Sequence, residues 1–436
     1  AKASAGRHEL STMSRIILHI DMNSYFASVE QQANPFLRGK PIGITGNRSE
    51  RSVVATASIE AKKLGVKTAM STWQAKKICP SLILISGDQE KYAYITDRFN
   101  KLFLEFTPLV QKFSIDESFL DITEQAKDWF GAVCLAQHLR ERLREECGER
   151  ITASIGIATN KLLAKLSSEC VKPNGITLTR DEDVVTLLDP VQLTDLCGIG
   201  PRMVKRLNEL GITSFKLLRE FPLKDLTLEF HSYGIWLHEA AHGREVKIQN
   251  IHSEEEAPKS IGHSFTFPKD TLNATIMQRY LLSLCEKVAW RLRCAGFVAN
   301  AVSTHIRYGD FSGNDKQHVF REPTADGLRL FEIAWRLIDS VRDKNKPVRL
   351  LGISASHLIC TSDSKPTMSL FSAGGARLPV GQGSAFGGKK EQKSLSVLSA
   401  LDKIQLRYGS NAWTRASLLP IAFQDRASGF GYDHEL

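Results

Sequence analysis

The apolar positions of this chain change repeatedly between the continuous runs of buried strands and the three-to-four-residue period of amphipathic helices. Strand and helix patterns mix along residues 15–179, which predicts an α+β fold. The predicted strands are 15–22, 52–57, 113–122 and 151–157, and the predicted helices are 25–32, 88–106 and 129–146, with further helices beginning at Ser71, where Gln74 completes a capping box, and near Asn160.

The strand predicted at 113–122 carries two adjacent carboxylates, Asp116 and Glu117, inside an apolar run (FSIDESFLD). Alternation along a strand places them on opposite faces. One of them would then be buried at a cost in free energy, unless it were paired or bound to a metal ion. A bend or bulge would bring both to one ion. Because Asp21 ends another apolar run, 16–21, the three acids predict a site for a hard divalent cation.

The second half of the chain has a different order of elements. Residues 180–246 have mostly helical periodicity, and 247–258, with three consecutive glutamates, predict a linker. The following pattern is β-α-β-β-α-β, which is typical of a ferredoxin-like fold, with bounds of 260–267, 273–295, 300–309, 316–321, 326–343 and 348–358. Ser, Gly and Lys dominate 372–396, so 361–436 are predicted to be a flexible tail, and 1–14 a leader outside the fold.

Length and charge add two expectations. A chain of 436 residues predicts several domains. The net charge is +9, and residues 257–360 alone hold 15 Lys or Arg against 9 Asp or Glu, a surplus of +6. This concentration favours a face that binds a polyanion, although ordinary surface lysines would give the same count.

Hydropathy and cysteine spacing indicate the cellular compartment. No apolar run is long enough to predict a membrane span. The eight cysteines include no Cys-x-x-Cys pair, so free thiols in a reducing, cytoplasmic environment are expected.

A short motif at 197–207 (CGIGPRMVKRL) points to nucleic acid. Gly198 and Gly200 precede a basic helix that carries Lys205, an order typical of a helix-hairpin-helix. Glycines permit close approach of the backbone, and the N–H groups at the start of a helix can hold a phosphate. A plain turn between two helices is the alternative interpretation.

Two motifs together resemble a known family. The segment His19–Glu30 (HIDMNSYFASVE), followed by Ser114–Glu117 (SIDE), resembles the Y-family DNA polymerases, most closely the bacterial DNA polymerase IV or DinB branch. The resemblance covers about residues 15–359. It implies a right-hand polymerase with a ferredoxin-like palm at 15–24 and 88–179, small fingers at 25–87, a helical thumb with a helix-hairpin-helix at 180–246 and a little finger at 259–360.

The resemblance also implies a chemistry. It makes Asp21, Asp116 and Glu117, with the carbonyl of Met22, the ligands of two Mg²⁺ ions, for which Mn²⁺ is a possible substitute. The implied reaction is nucleotidyl transfer from a dNTP to a primer 3′-hydroxyl, with low fidelity, lesion bypass and no proofreading exonuclease. Asn23 stands where many relatives have Asp, at a position not regarded as a necessary ligand.

Other family positions concern nucleotide and DNA. Phe26 matches the steric gate against ribose, although a core aromatic, or Tyr25 as the gate, are alternatives. The segment 54–62 departs from the fingers motif at Ile59 and at Lys62, which replace the usual Tyr and Arg. The nucleotide-binding set is Ser24, Tyr25, Phe26, Thr56, Lys62 and Lys172, and the DNA-binding set is Lys161, Lys165, Gly198, Gly200, Lys205 and Arg349. A solvated helix face is the alternative for Lys161 and Lys165.

The peptide 367–371 (TMSLF) resembles the sequence by which bacterial polymerases bind the sliding clamp. Its anchors would be Met368, Leu370 and Phe371, although Thr367 replaces the expected Gln. The expected partners are therefore primer–template DNA, dNTP and the clamp, with no membrane and a monomeric chain. Three rival interpretations are a non-catalytic, DNA-bound family member, a two-metal nuclease and a simple helix-hairpin-helix module.

Overall fold

The computed structural model describes residues 15–46, 52–245, 257–361, 389–409, 412–413 and 415–418. The chain forms two compact units that divide between Glu255 and Glu256. The leader 1–14, most of the linker 247–258 and the whole of the peptide 367–371 lie outside the described residues. No helix within the described ranges is both long enough and apolar enough to cross a membrane.

The first unit contains two sheets. Its strands are β1 Ile17–Met22, β2 Ile42–Thr45, β3 Val54–Ala57, β4 Ile83–Ser86, β5 Val110–Lys112, β6 Glu117–Asp121, β7 Ala153–Ala158 and β8 Ile176–Leu178. The larger sheet has the order β5-β6-β1-β7-β8, and the smaller has the order β3-β2-β4. Strand β1 is the central strand of the larger sheet, and all six of its residues are buried.

The helices of this unit cover both sheets and then continue as a helical region. They are α1 Tyr25–Ala33, α2 Ile59–Lys63, α3 Thr72–Ile78, α4 Gln89–Phe106, α5 Thr123–Ala126, α6 Trp129–Cys147, α7 Lys161–Cys170, α8 Val184–Leu188, α9 Pro201–Glu209, α10 Phe215–Glu220, α11 Leu223–Phe230 and α12 Ser232–Ala241. The capping box predicted at Ser71 is confirmed, because its hydroxyl accepts from the backbone N–H of Gln74.

One strand prediction is wrong. Residues 113–122 form no continuous strand, since β5 and β6 are the two arms of an antiparallel hairpin and 113–116 make its turn. The N–H groups of Phe113 and Ser114 both donate to the carbonyl of Glu117, at 3.0 and 3.2 Å. Ser114 also donates to the carboxylate of Asp116 at 2.6 Å. These local bonds stabilise the bend, so Asp116 lies in a turn instead of alternating along a strand.

Helix α7 packs very closely on the larger sheet over Gly156 of β7. A Cβ at this position would lie 1.9 Å from the carbonyl oxygen of Ala164 and 2.5 Å from the N of Ser168. Only glycine therefore permits this distance between helix and sheet. Gly156 pairs with His19 of β1, so the close contact brings α7 directly over the centre of the sheet.

The second unit is a four-stranded antiparallel sheet with two helices on one face. Its elements are β9 Ser260–Thr271, α13 Ala274–Cys294, β10 Phe297–Tyr308, β11 Gly313–Thr324, α14 Gly327–Val341 and β12 Val348–Cys360, and the sheet order is β11-β10-β12-β9. The β-α-β-β-α-β order predicted from the sequence is confirmed. The apolar core lies between α13, α14 and the sheet.

The prediction of a flexible tail from 361 onward did not foresee helix α15, Lys389–Tyr408. Asp402 on this helix accepts two hydrogen bonds from Arg293 of α13, at 2.6 and 2.7 Å. Beyond the helix, Arg415 donates to Glu286 of α13 at 2.6 Å. Apolar residues at 395, 398 and 401 give α15 a helical repeat that its many Ser and Lys residues obscure.

Candidate active site

Three carboxylates meet at one edge of the larger sheet. Asp21 near the end of β1 pairs with Glu117 at the start of β6. The N–H of Met22 donates to the carbonyl of Asp116 at 3.0 Å, which fixes the hairpin turn beside β1. The turn therefore solves the problem posed by alternation, because it brings two consecutive acids to the edge where Asp21 lies.

Each carboxylate has one oxygen held by a neighbouring side chain. Oδ1 of Asp21 lies 3.0 Å from Nζ of Lys172, and Oε2 of Glu117 lies 2.6 Å from Nζ of Lys165. Oδ1 of Asp116 accepts the hydroxyl of Ser114. Among the described residues, the second oxygen of each carboxylate has no hydrogen bond to a side chain. Three acids are thus oriented by one oxygen each, with the other left for a ligand.

The pKa values show that this arrangement is electrostatically incomplete. Burial raises the pKa of Asp21 to about 7, against the opposing effect of Lys172. Burial likewise raises the pKa of Asp116. Burial acts to raise the pKa of Glu117, but the larger combined effect of the nearby His19 and Lys165 lowers this pKa to about 2. Burial thus disfavours the charged form of Asp21 and of Asp116, and a nearby cation would favour it.

The residues fit a divalent metal by chemistry. Among the residues that the structure describes, no three His, Cys, Asp or Glu side chains already converge on a single metal position. Lys165 and Lys172 instead supply the positive charge at this edge. Carboxylate and carbonyl oxygens are the donors that Mg²⁺ and Mn²⁺ prefer. A cation would supply the charge that the raised pKa values of Asp21 and Asp116 call for.

A cavity of about 550 Å³ opens beside the carboxylates. Asp21 and Asp116 form one side of it, and the strand–helix connection of the small sheet contributes Thr56 and Lys62 to another. Lys172 also lines the cavity, and its Nζ contacts Asp21. The other lining residues are Met22, Asn23, Ser24, Tyr25, Ala55, Ile59, Lys63, Thr68 and Pro173. An anionic edge and a cationic wall in one cavity suit a metal-bound polyphosphate.

The two aromatic candidates for a sugar gate have different environments. The hydroxyl of Tyr25 donates to the carbonyl of Tyr92 and contacts the hydroxyl of Thr96, both at 2.8 Å. Phe26 is 6% exposed, and its ring stacks on Tyr92 with centroids 4.5 Å apart. Tyr25 thus has a clear structural task. Phe26 lies beside it and packs against the rings of Tyr25 and Tyr92.

Two lysines predicted to contact DNA also have partners within the protein. Lys161 is 8% exposed, and its Nζ donates to Gln111 at 3.1 Å. Lys165 is paired with Glu117, as described above. Neither lysine therefore belongs to a fully solvated helix face, which was the alternative interpretation. Their contact with DNA stays a prediction.

The other DNA candidates lie in both units. Gly198 has φ of 108°, and a Cβ there would lie 2.7 Å from the ring of Trp236, so glycine is required. The hydroxyl of Tyr233 donates to the carbonyl of Gly198. Gly200 is the N-cap of α9, which carries Lys205. In the second unit, the guanidinium of Arg349 lies 4.8 Å from the ring centroid of Phe311.

Sequence reasoning missed the residues that support the carboxylates from behind. His19 belongs to the apolar run of β1, and Ser168 belongs to α7. Their side chains lie 2.8 Å apart in the core, between the helix and the sheet. A histidine in an otherwise apolar strand, two residues before Asp21, was the available signal.

Comparisons with known proteins give consistent matches. Residues 20–169 match the impB/mucB/samB family, and residues 258–370 match the C-terminal domain of the same family. A protein named DNA polymerase IV from Listeria monocytogenes is 34% identical over 345 residues, which cover 79% of this chain and 96% of that protein. One of the same name from Pelotomaculum thermopropionicum is 32% identical over 406 residues, covering 93% and 96%.

Solved structures agree with these matches. A Y-family DNA polymerase chimera of Dbh and Dpo4 is 27% identical, with a TM-score of 0.71 over 79% of this chain and 99% of that chain. DinB from Sulfolobus solfataricus is also 27% identical, with a TM-score of 0.51 over 78% and 98%.

Proposed function

We propose two-metal nucleotidyl transfer at the carboxylate edge of this chain, which belongs to the Y family of DNA polymerases and to its DinB branch. Family membership makes it a template-directed, translesion DNA polymerase that binds primer–template DNA and dNTP and uses divalent metal. The observation that carries the mechanism is the set of three carboxylates, each held by one oxygen, beside a cavity lined by three lysines.

Asp21, Asp116 and Glu117, with the carbonyl of Met22, would hold two Mg²⁺ ions, which Mn²⁺ can replace. Metal bound there would supply activation of the primer 3′-hydroxyl and neutralisation of the charge on the triphosphate and pyrophosphate. Lys172, which lines the cavity and contacts Asp21, would bind a phosphate oxygen of the nucleotide. Lys62 contributes a second positive charge, although burial lowers its pKa.

The remaining nucleotide contacts follow from the cavity. Thr56 and Ser24 line it and offer hydroxyls, and Tyr25 lines it beside them. Phe26 is the proposed steric gate, because a ring packed against Tyr92 cannot move aside for a ribose 2′-hydroxyl.

DNA is bound through separate elements. The backbone at Gly198 and Gly200 and the side chain of Lys205 would hold phosphates of the duplex. The +6 surplus of residues 257–360, Arg349 included, would supply further contacts. If so, removal of residues 257–360 lowers both DNA affinity and its salt dependence, by about one unit of log–log slope per lost phosphate contact. An unchanged slope would reject this role.

We further propose that the chain acts as a cytoplasmic monomer and docks on a bacterial sliding clamp through Met368, Leu370 and Phe371. Replacing Leu370 and Phe371 by Ala should leave single-nucleotide incorporation unchanged and should remove stimulation by the clamp. Two apolar anchors contribute roughly 1.5–3 kcal/mol each, enough to lower affinity at least about ten-fold. A double variant that retains the clamp in a pull-down would reject the peptide.

Primer extension by the full chain tests the function as a whole. Intact and lesion-bearing templates are compared with Mg²⁺ and with Mn²⁺. Elongation past the lesion, with low fidelity, supports the proposal. Shortening of the primer would favour the two-metal nuclease, and DNA binding without any change in primer length would favour a non-catalytic member.

A further inference from the structure

The inference concerns His19, which lies directly behind the carboxylate edge, and it rests on the proposed role of Glu117 as a metal ligand. His19 and Asp21 are two residues apart on β1 and therefore point to the same face of the sheet. Glu117 pairs with Asp21 on the neighbouring strand. His19 is thus diagonal to Glu117, on the face that α7 covers.

The imidazole is completely buried, with 0% of the residue exposed. Nδ1 lies 2.8 Å from Oγ of Ser168. Nε2 lies 3.5 Å from Oε2 of Glu117 and makes no hydrogen bond within the described part of the chain. A buried polar atom without a partner is costly in free energy. Its position next to a metal-binding carboxylate therefore needs an explanation beyond packing.

The surroundings of the ring decide which nitrogen carries the proton. A carboxylate oxygen faces Nε2, and a proton on that nitrogen makes the contact attractive. Nδ1 is then an acceptor and needs a donor. In the structure the hydroxyl of Ser168 donates to the carbonyl of Lys165 at 2.7 Å, and its oxygen lies 2.8 Å from Nδ1. Rotation of this one hydrogen from the carbonyl to Nδ1 gives the ring its donor and fixes the tautomer with the proton on Nε2.

The contact falls on one particular oxygen of Glu117. Oε2 is also the atom that Lys165 holds at 2.6 Å. Two side chains therefore converge on Oε2, while Oε1 has no hydrogen bond to any described residue. Both depend on the close approach of α7 over Gly156, because α7 carries Lys165 and Ser168.

We propose that His19 is a positioning residue, which Ser168 keeps protonated at Nε2 and which, together with Lys165, holds Oε2 of Glu117 so that Oε1 remains for a divalent cation. The 3.5 Å contact shortens when a cation draws the carboxylate into its bound orientation. His19 itself touches neither substrate nor metal. It acts as outer-shell support for a ligand, a class of residue whose loss commonly costs 10- to 100-fold in metal affinity or activity, as an order of magnitude.

The test is the binding of Mn²⁺ to the full chain with primer–template DNA, measured by water-proton relaxation. His19→Leu removes both nitrogens, His19→Asn retains only a group near the Ser168 side, and His19→Gln can place a donor near the position of Nε2. The proposal expects Mn²⁺ affinity to fall at least about ten-fold in His19→Leu and His19→Asn. It expects His19→Gln to recover most of the loss, which a merely space-filling role would not produce.

Ser168→Ala keeps the ring and removes only its tautomer partner, so it guards against misfolding of the His19 variants. The proposal expects a smaller fall in Mn²⁺ affinity for Ser168→Ala, with unchanged DNA affinity and only the modest loss of thermal stability that follows from removing a buried hydroxyl. Wild-type Mn²⁺ affinity in both His19→Leu and Ser168→Ala would overturn the role of His19 but leave the proposed function intact. A wild-type chain that binds no Mn²⁺ would overturn the proposed function, and this inference with it.

Discussion

Asp21 and Asp402 have the same exposed fraction, 8%, yet their surroundings differ completely. Both oxygens of Asp402 accept from the guanidinium of Arg293, at 2.6 and 2.7 Å. Asp21 has one oxygen against Lys172 at 3.0 Å, lines a cavity, and has a pKa that burial raises to about 7. Asp402 thus joins α15 to α13 within its unit. For Asp21, a further cation would favour the charged form that burial disfavours.

Burial by itself therefore does not mark a functional carboxylate. The distinction lies in how many of its oxygens the protein satisfies and whether a cavity adjoins the rest. By this criterion the edge formed by Asp21, Asp116 and Glu117 is the candidate functional site, and the ion pair between α13 and α15 serves the stability of the fold. Substitutions in the two regions should therefore differ, with a loss of activity at the carboxylate edge and a loss of stability at the α13–α15 pair.

The largest effect is expected for Asp116→Asn, which keeps the shape and removes the charge. Incorporation should fall at least about 1000-fold, because charge stabilisation by bound metal is worth several kcal/mol of the barrier. DNA affinity should persist, since it depends on cationic contacts to phosphate. Thermal unfolding should be unchanged or shifted upward, because burial disfavours the charge that is removed. Rapid-quench assays measure the rate of incorporation, and calorimetry measures thermal unfolding. A near-normal rate of incorporation would reject the site.

Asp402→Asn is the matched change in the second unit, with the opposite expectation. It leaves the partly buried guanidinium of Arg293 with poorer partners, at a cost of roughly 2–3 kcal/mol. Hydrogen exchange of the α15 amides should become about 30- to 100-fold faster, while single-nucleotide incorporation stays unchanged. A loss of incorporation, with amide exchange in α15 as slow as in the wild type, would show that Asp402 serves activity and not stability.

The same contrast applies to the adjacent rings of Tyr25 and Phe26. Tyr25→Phe removes a hydroxyl bonded to Tyr92 and Thr96, so it should lower stability by about 1 kcal/mol and leave sugar selection intact. Phe26→Ala should raise incorporation of ribonucleotides relative to deoxyribonucleotides, with a smaller effect on dNTP use. Single-turnover assays with paired dNTP and rNTP decide the matter. Relaxed selection in Tyr25→Ala, with selection intact in Phe26→Ala, would move the gate by one residue.

The smallest effect is expected for Lys62→Arg. A guanidinium offers a bidentate fork and stays charged where burial lowers the pKa of a lysine. The KM for dNTP should therefore fall by about two- to five-fold, with little change in turnover. An increase in KM would show that Lys62 serves the packing of the cavity wall instead of the triphosphate.

Much of this organisation could be predicted from the sequence. Apolar runs located β1 and β7, and the β-α-β-β-α-β order of the second unit is confirmed. The acids at the ends of apolar runs were expected to meet, and the hairpin turn at 113–116 brings them together. Patterns of this kind succeed because strand burial and turn formation depend mainly on local residue types.

Other features depend on distant contacts and were not predictable in this way. Lys161 and Lys165 look like a solvated helix face until the glycine at 156 lets α7 lie close to the sheet. His19 looks like part of an apolar strand until Ser168 and Glu117 are seen on its two nitrogens. Helix α15 was hidden because its Ser- and Lys-rich sequence is stabilised by partners on α13, more than a hundred residues away.

The open oxygens of Asp21, Asp116 and Glu117 are the proposed ligands of two divalent cations. Electron paramagnetic resonance can count the Mn²⁺ ions bound by the full chain with a dideoxy-terminated primer–template and the correct dNTP. We expect two tightly bound ions in the wild type and fewer in Asp116→Asn, with DNA bound equally by both. This result would establish that the carboxylates hold the ions. Equal ion counts in the two proteins, or no ion beyond those held by dNTP and DNA alone, would contradict it.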